Sequence, residues 1–253
     1  MKRLSLFLLP AAALAGIAPS HAQSQSMQRT FPAGDFDKVI VKGCDRVTIT
    51  TGSTFSVTAR GEPRVLATLR ISVRDGVLRL DRAPRSCNGD NVPTALITVA
   101  MPELHQIKST GTGDVAIDRV NGDAFDGELS GTGDLSIGQL HASKADVSLS
   151  GTGAVTLRAV IADALSLDLS GTGDIDARGS ANSLSIRDSG TGDVDASGLQ
   201  VQLLDIAASG TGAVKARASE TAKVANSGMG SITVLGHPRC SLRNSGPAHI
   251  ECD

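Results

Sequence analysis

From residue 109 onward, aliphatic residues recur at a spacing of two on either side of a five-residue Gly-rich word, and the whole unit returns at a nearly fixed period. The word spans 110–114, 130–134, 150–154, 170–174, 189–193 and 209–213, with degenerate copies at 227–231 and 245–249. Its first glycines are Gly111, Gly131, Gly151, Gly171, Gly190, Gly210, Gly228 and Gly246, so the steps are 20, 20, 20, 19, 20, 18 and 18 residues. Four residues after that glycine stand Val115, Leu135, Val155, Ile175, Val194, Val214, Ile232 and Ile250. Four before it the column reads Ile107, Gly127, Val147, Leu167, Ile186, Ile206, Val224 and Leu242, with Gly127 the exception. Further inward columns lie six before and six after the glycine. Alternation of this kind is the signature of a strand with one buried face. A unit of about 20 residues holds a strand, a Gly-rich corner, a second strand and a return. It is too short for a propeller blade and lacks the Leu/Asn pattern of leucine-rich repeats, so stacked coils are expected. The fold class is all-β, a parallel β-helix (solenoid) of 18–20 residues per coil, right-handed by the crossover rule. Seven steps of about 4.8 Å predict a rod of roughly 34 Å for this part.

Residues 31–108 lack the word but carry short β runs at 36–41, 46–50, 55–60, 69–73, 77–80 and 95–100, with Asp75-Gly76 a hairpin signal between two of them. A solenoid exposes hydrophobic ends and strand edges, so this segment is expected to form an irregular β cap or the first coils. The chain is then organised as a signal peptide (1–22), a flexible N-terminus (23–30), the cap or first coils (31–108) and the Gly-rich repeats (109–253).

The signal peptide is read from Lys2 and Arg3, the apolar run from Leu4 to Ala18, and the small residues around Ala22. Its apolar core is too short to span a bilayer, and Gln23 occupies the place of a lipoprotein cysteine. Removal of Lys2 and Arg3 takes the net charge from -2 to -4. The mature chain is therefore expected to be exported, periplasmic or extracellular, with no transmembrane segment. In an oxidising compartment Cys44, Cys87, Cys240 and Cys252 favour two disulfides over metal ligation. Three connectivities exist, and pairing within each end of the chain, Cys44 with Cys87 and Cys240 with Cys252, is the one expected. Such bridges would restrain the fraying ends by about 4 and about 3 kcal/mol.

The opening Phe36-Asp37-Lys38-Val39, the strand Val47-Thr48-Ile49, Asp75-Gly76-Val77-Leu78, Met101-Pro102-Glu103-Leu104 and the repeated Ser-Gly-Thr-Gly-Asp words together resemble the head GIN domain family, named for autotransporter adhesins. The resemblance covers about residues 31–250 and rests on the order of the motifs. It implies a right-handed β-helix and an adhesin-like role, and it brings no catalytic residues with it.

Candidate chemistry is sparse. Three residues after the first glycine, Asp114, Asp134, Asp174 and Asp193 form a column broken by Ala154 and Ala213. Stacked acids are weak candidates for calcium, whereas an Asp accepting backbone N–H bonds in a tight turn is the better account. Thr112, Thr132, Thr152, Thr172, Thr191 and Thr211 form a hydroxyl file at the corner. His105, His141, His237 and His249 share no metal-ligand spacing. Aromatic residues make up 2% of the chain, with no Trp and no Tyr. That composition argues against base-stacking platforms and sugar-stacking clefts. Without a basic stripe, a nucleic-acid partner is not expected. No cofactor is implied. The reading is a non-catalytic exported binding or adhesin-like module that presents a lateral β face to an envelope or surface ligand. A self-assembling envelope protein is the first alternative, and a polysaccharide-active enzyme the second.

Overall fold

The computed structural model describes residues 26–89 and 92–253. The expected signal peptide lies outside the described residues. The N-terminal part contains β1 (Met27–Phe31), β2 (Lys38–Val41), β3 (Arg46–Thr51), β4 (Ser56–Gly61), a short helix α1 (Pro63–Leu66), β5 (Leu69–Arg74), β6 (Val77–Arg82), β7 (Leu96–Met101) and β8 (Gln106–Ser109). The repeats follow as β9 (Val115–Leu129), β10 (Leu135–Leu149), β11 (Val155–Leu169), β12 (Ile175–Asp188), β13 (Val194–Ala208) and β14 (Val214–Asn226), and the chain closes with β15 (Ile232–Leu235), β16 (Arg239–Asn244) and β17 (Ile250–Cys252). The seventeen strands among the described residues join one hydrogen-bonded sheet, wound into a β-solenoid of about seven turns.

The period read from the sequence is the register of the ladder. Leu135 stands beside Val115 and Val155, Val155 beside Ile175, Ile175 beside Val194, and Val194 beside Val214, all in parallel pairings. The aliphatic files seal the interior: Val115, Leu135, Val155, Ile175, Val194, Val214 and Ile232 are all buried. Each such side chain contributes about 1.5–3 kcal/mol relative to exposure. Gly127, the gap in one file, is filled from its own strand, because a Cβ there would meet the Phe125 ring at 3.1 Å. One expectation is corrected. Each coil from β9 to β14 is a single bent strand of 13 to 15 residues. The return stretch also enters the parallel ladder, because its backbone groups find partners one rung above and below.

The corner glycines are required by close approach. A Cβ on Gly131 would collide with the carbonyl oxygen of Gly111 directly below it, while Thr132 between the two glycines of its word points to solvent. The shorter coil at β12 loses its residue at a bend, where the register shifts between Leu157 and Val160 and Gly179 takes φ +128°, a region that side-chain-bearing residues rarely adopt.

The N-terminal segment is both first coils and cap. On one face β3 continues the stack below β9, and β7 follows it in parallel. There β4 and then β1 close the sheet antiparallel. On another face β8, β2 and β6 extend the stack in parallel, and β5 closes it as a hairpin with β6. Asp75 and Gly76 at that hairpin have φ 52° and 73°, the paired positive values of a type I′ turn. Residues 27–30, expected to be flexible, instead belong to β1. Phe31 is buried there, and Arg29 lies 4.7 Å over its ring. A buried ion pair holds the cap together. The Arg82 guanidinium donates to the Asp45 carboxylate, with Nε to Oδ2 at 2.6 Å, and to the Pro93 carbonyl at 3.0 Å. Asp45 also accepts the Ala95 N–H at 2.6 Å. With Asp45 and Arg82 only 4% and 6% exposed, this full set of partners is what makes the buried charges tolerable.

Candidate ligand groove on the lateral face

One column of the repeat runs small. Gly122, Ala142, Ala162, Ala181, Val201 and Ala218 stand in register on successive rungs. The alanines and Val201 are buried. Most of these side chains are a single methyl group or smaller and fill little space. The outer surface here is concave, with a cavity of about 1000 Å³ from Gly122 at one end to Gly236 at the other. Six rung steps at about 4.8 Å make it roughly 29 Å long.

Alternation along each strand turns the residues on either side of the small file outward. They form two ranks of exposed side chains: His141, Ile161, Ser180 and Gln200 in one, and Ser143, Asp163, Asn182 and Gln202 in the other. Asn182 Nδ2 donates to Asp163 Oδ1 at 2.9 Å, which ties the two residues of this rank together across neighbouring rungs. Asp123 and Asp163 place negative charge in one half of the groove. Arg217 lies towards the other end, its Nε donating to the Ser197 carbonyl at 3.3 Å. The lining offers amide, hydroxyl, carboxylate and guanidinium groups in series along a straight trough.

The Asp column occupies a different place, at the Gly-rich corner, and its geometry is a ladder. Asp114 Oδ1 accepts the Asp134 N–H at 3.2 Å, Asp134 accepts that of Ala154 at 2.9 Å, Asp174 that of Asp193 at 2.8 Å, and Asp193 that of Ala213 at 2.7 Å. Each carboxylate thus ties its rung to the next. Among the described residues no group of three or more His, Cys, Asp or Glu side chains converges as a metal site would need. Of the four histidines weighed, His141 alone enters the groove. His105 lies beside Asp37, with 3.3 Å between Nδ1 and Oδ2.

The cysteines meet in the expected pairs. Cys44 faces Cys87 with Cα atoms 5.7 Å apart, and Cys240 faces Cys252 at 6.7 Å, both within bridging reach.

A family profile described as "Putative auto-transporter adhesin, head GIN domain" matches residues 35–238. The chain belongs to the head GIN domain family. Solved structures share the fold of this head GIN chain along nearly its whole length. A putative adhesin from Bacteroides fragilis NCTC 9343 is 25% identical, with TM-score 0.70, covering 94% of this chain and 100% of its own. A putative adhesin from Parabacteroides distasonis ATCC 8503 is 20% identical, with TM-score 0.83 and coverage of 91% and 98%. A putative lipid binding protein from the same organism is 18% identical, with TM-score 0.80 and coverage of 89% and 96%. No curated protein matches. The family and the disulfide-paired cysteines make this head GIN chain adhesin-like and consistent with an exported protein, and no helix among its described residues is long and apolar enough to cross a membrane.

The groove itself is absent from the sequence-level candidates. The signal was present as a column eleven residues after the first glycine in most coils, but it consists of missing bulk, and polar ranks beside it vary from coil to coil.

Proposed function

We propose that this head GIN chain is a non-catalytic, exported, adhesin-like binding module that engages its ligand along the lateral groove. The observation that carries the reading is the trough across six rung steps, floored by a small-residue file and edged by two outward ranks of hydrogen-bonding side chains. Concave sites with convergent polar groups are where ligands bind by default. A rigid solenoid gives those groups a fixed spacing without ordering cost at the moment of binding. The test is co-sedimentation of the mature, oxidised chain with intact bacterial cells and with envelope fragments, wild type against Ser180→Trp. The indole placed on the exposed rank fills the trough without touching the core. Retention by wild type and loss in the variant supports the reading; equal retention refutes it. A turnover screen on polysaccharides, with and without calcium, should yield no product. Product formation that is lost with Asp174→Asn and Asp193→Asn would replace this reading with an enzymatic one.

A second reading, self-assembly, is favoured by the C-terminal end. Every residue of β16 is exposed, and Leu242 is 46% exposed on a strand that, among the described residues, pairs on one side only, with β14. Light scattering against concentration separates the two: a monomer throughout supports the binding module, and growth that Leu242→Lys abolishes supports assembly.

A further inference from the structure

We propose that the lateral groove takes an uncharged polysaccharide lying along the solenoid axis, a ligand class that rests on the binding function proposed above. Strands cross the trough at right angles to its length; the small-residue file and the rank of His141, Ile161, Ser180 and Gln200 are paired to the rungs above and below, while the ladder skips Ser143, Asp163, Asn182 and Gln202. A peptide laid in the groove finds no sheet edge to extend, and strand addition is thereby excluded as a binding mode. Recognition falls to side chains, and those presented are amides and hydroxyls, Asn182, Gln200, Gln202 and Ser180, which donate and accept at once as sugar hydroxyls do. Ile161, 58% exposed in mid-groove, supplies an apolar contact for the C–H face of a sugar ring. Asp123 and Asp163 outnumber Arg217 in the same trough, and this net negative lining disfavours a polyanion such as a uronic-acid chain or a nucleic acid. With no aromatic ring to stack on, each sugar is held weakly by hydrogen bonds, and affinity accumulates over several rungs.

The experiment is affinity electrophoresis of the mature, oxidised full chain in gels containing dextran, mannan or xylan as neutral probes and polygalacturonate as the acidic one, run beside the cell co-sedimentation above. The expected result is retardation by at least one neutral probe. Oligosaccharides of that probe should compete better with increasing length up to about the six rung steps of the groove. Asn182→Ala, Gln200→Ala and Gln202→Ala should each weaken retardation by about fivefold, the effect of one hydrogen bond of ordinary strength. Retardation by polygalacturonate alone, or equal retardation of wild type and the triple variant, overturns the proposal. If no neutral probe retards the chain while groove-dependent cell binding persists, the polysaccharide assignment falls and the binding function stands. If cell binding is also absent, both fall.

Discussion

The two ends of this solenoid are finished differently. At the N-terminal end the parallel stack is shut by antiparallel strands, β1 and β4 on one face and β5 on another, with α1, a buried Arg82–Asp45 pair and the Cys44–Cys87 bridge behind them. At the C-terminal end the last described strands are β16 and β17, whose outward edges carry no partner among the described residues, and the Cys240–Cys252 bridge joins them. The interior follows the same gradient. One inward file runs Leu129, Leu149 and Leu169 near the closed end and then Asp188, Ala208, Asn226 and Asn244 towards the open one. In that polar stretch, Asn226 Nδ2 donates to Asn244 Oδ1 at 3.2 Å and its Oδ1 accepts the Gly228 N–H at 3.1 Å, an amide ladder in place of packing. In a structure where each rung touches only its neighbours, an end is stable only as far as something covers it. The comparison teaches that this chain covers one end with a fold and holds the other with a covalent tie and hydrogen bonds.

The largest expected effect comes from opening the closed end. Arg82→Ala leaves Asp45 buried without its cation and should cost about 3–5 kcal/mol in denaturant unfolding. A loss below 1 kcal/mol would show that the pair does not hold the cap. Removing the Cys44–Cys87 bridge should lower global stability by about 4 kcal/mol. Removing Cys240–Cys252, which closes a shorter loop, should cost about 3 kcal/mol, confined to faster hydrogen exchange in β16 and β17. Equal, global effects from both bridges would erase the distinction between the ends. Gly151→Ala at mid-stack, where the Cβ would strike the Gly131 carbonyl between two ordered rungs, should destabilise by about 2–3 kcal/mol. Gly246→Ala on the last described rung should cost less, because no described rung stacks above it to resist a shift, and paired thermal scans compare the two.

The smallest effect sharpens the gradient inside. Asp188 is buried, one carboxylate oxygen accepts the Gly190 N–H at 2.9 Å, and the other has no partner. Burial pushes its carboxyl above the ordinary value of 3.8; the Gly190 bond opposes this and the nearby Asp193 charge adds to it. A raised folded-state pKa means that the stabilising protonated form is present below pH 3.8 and lost as pH rises through the folded value. Asp188→Asn should therefore stabilise the fold by about 1 kcal/mol at pH 7 and by nothing measurable at pH 3. A variant less stable than wild type at pH 7 would contradict this account of the site.

Most of the architecture was legible because a constant glycine period has few physical explanations. Gly131 and its equivalents mark where backbones of adjacent rungs approach too closely for a Cβ, and the alternating files around them gave strand, register and coil length. The paired cysteines were legible from their positions at the two ends. Three features were not. Asp45 and Arg82 are 37 residues apart, and nothing local marks either as buried. β1 was hidden because its residues, Met27 to Thr30, are exposed and polar apart from Met27, and only Phe31 anchors it. The groove is floored by small residues, Ala142, Ala162 and Ala181 among them, and a small residue in a strand signals nothing until its register partners are known.

Pulsed dipolar EPR between spin labels at Thr112→Cys and Thr211→Cys tests the stacked-rung architecture most directly. The two outward positions are five rung steps apart, so the account predicts one narrow distance distribution centred near 24 Å, broadened only by the label linkers. A broad distribution, or a separation well beyond that value, would contradict it.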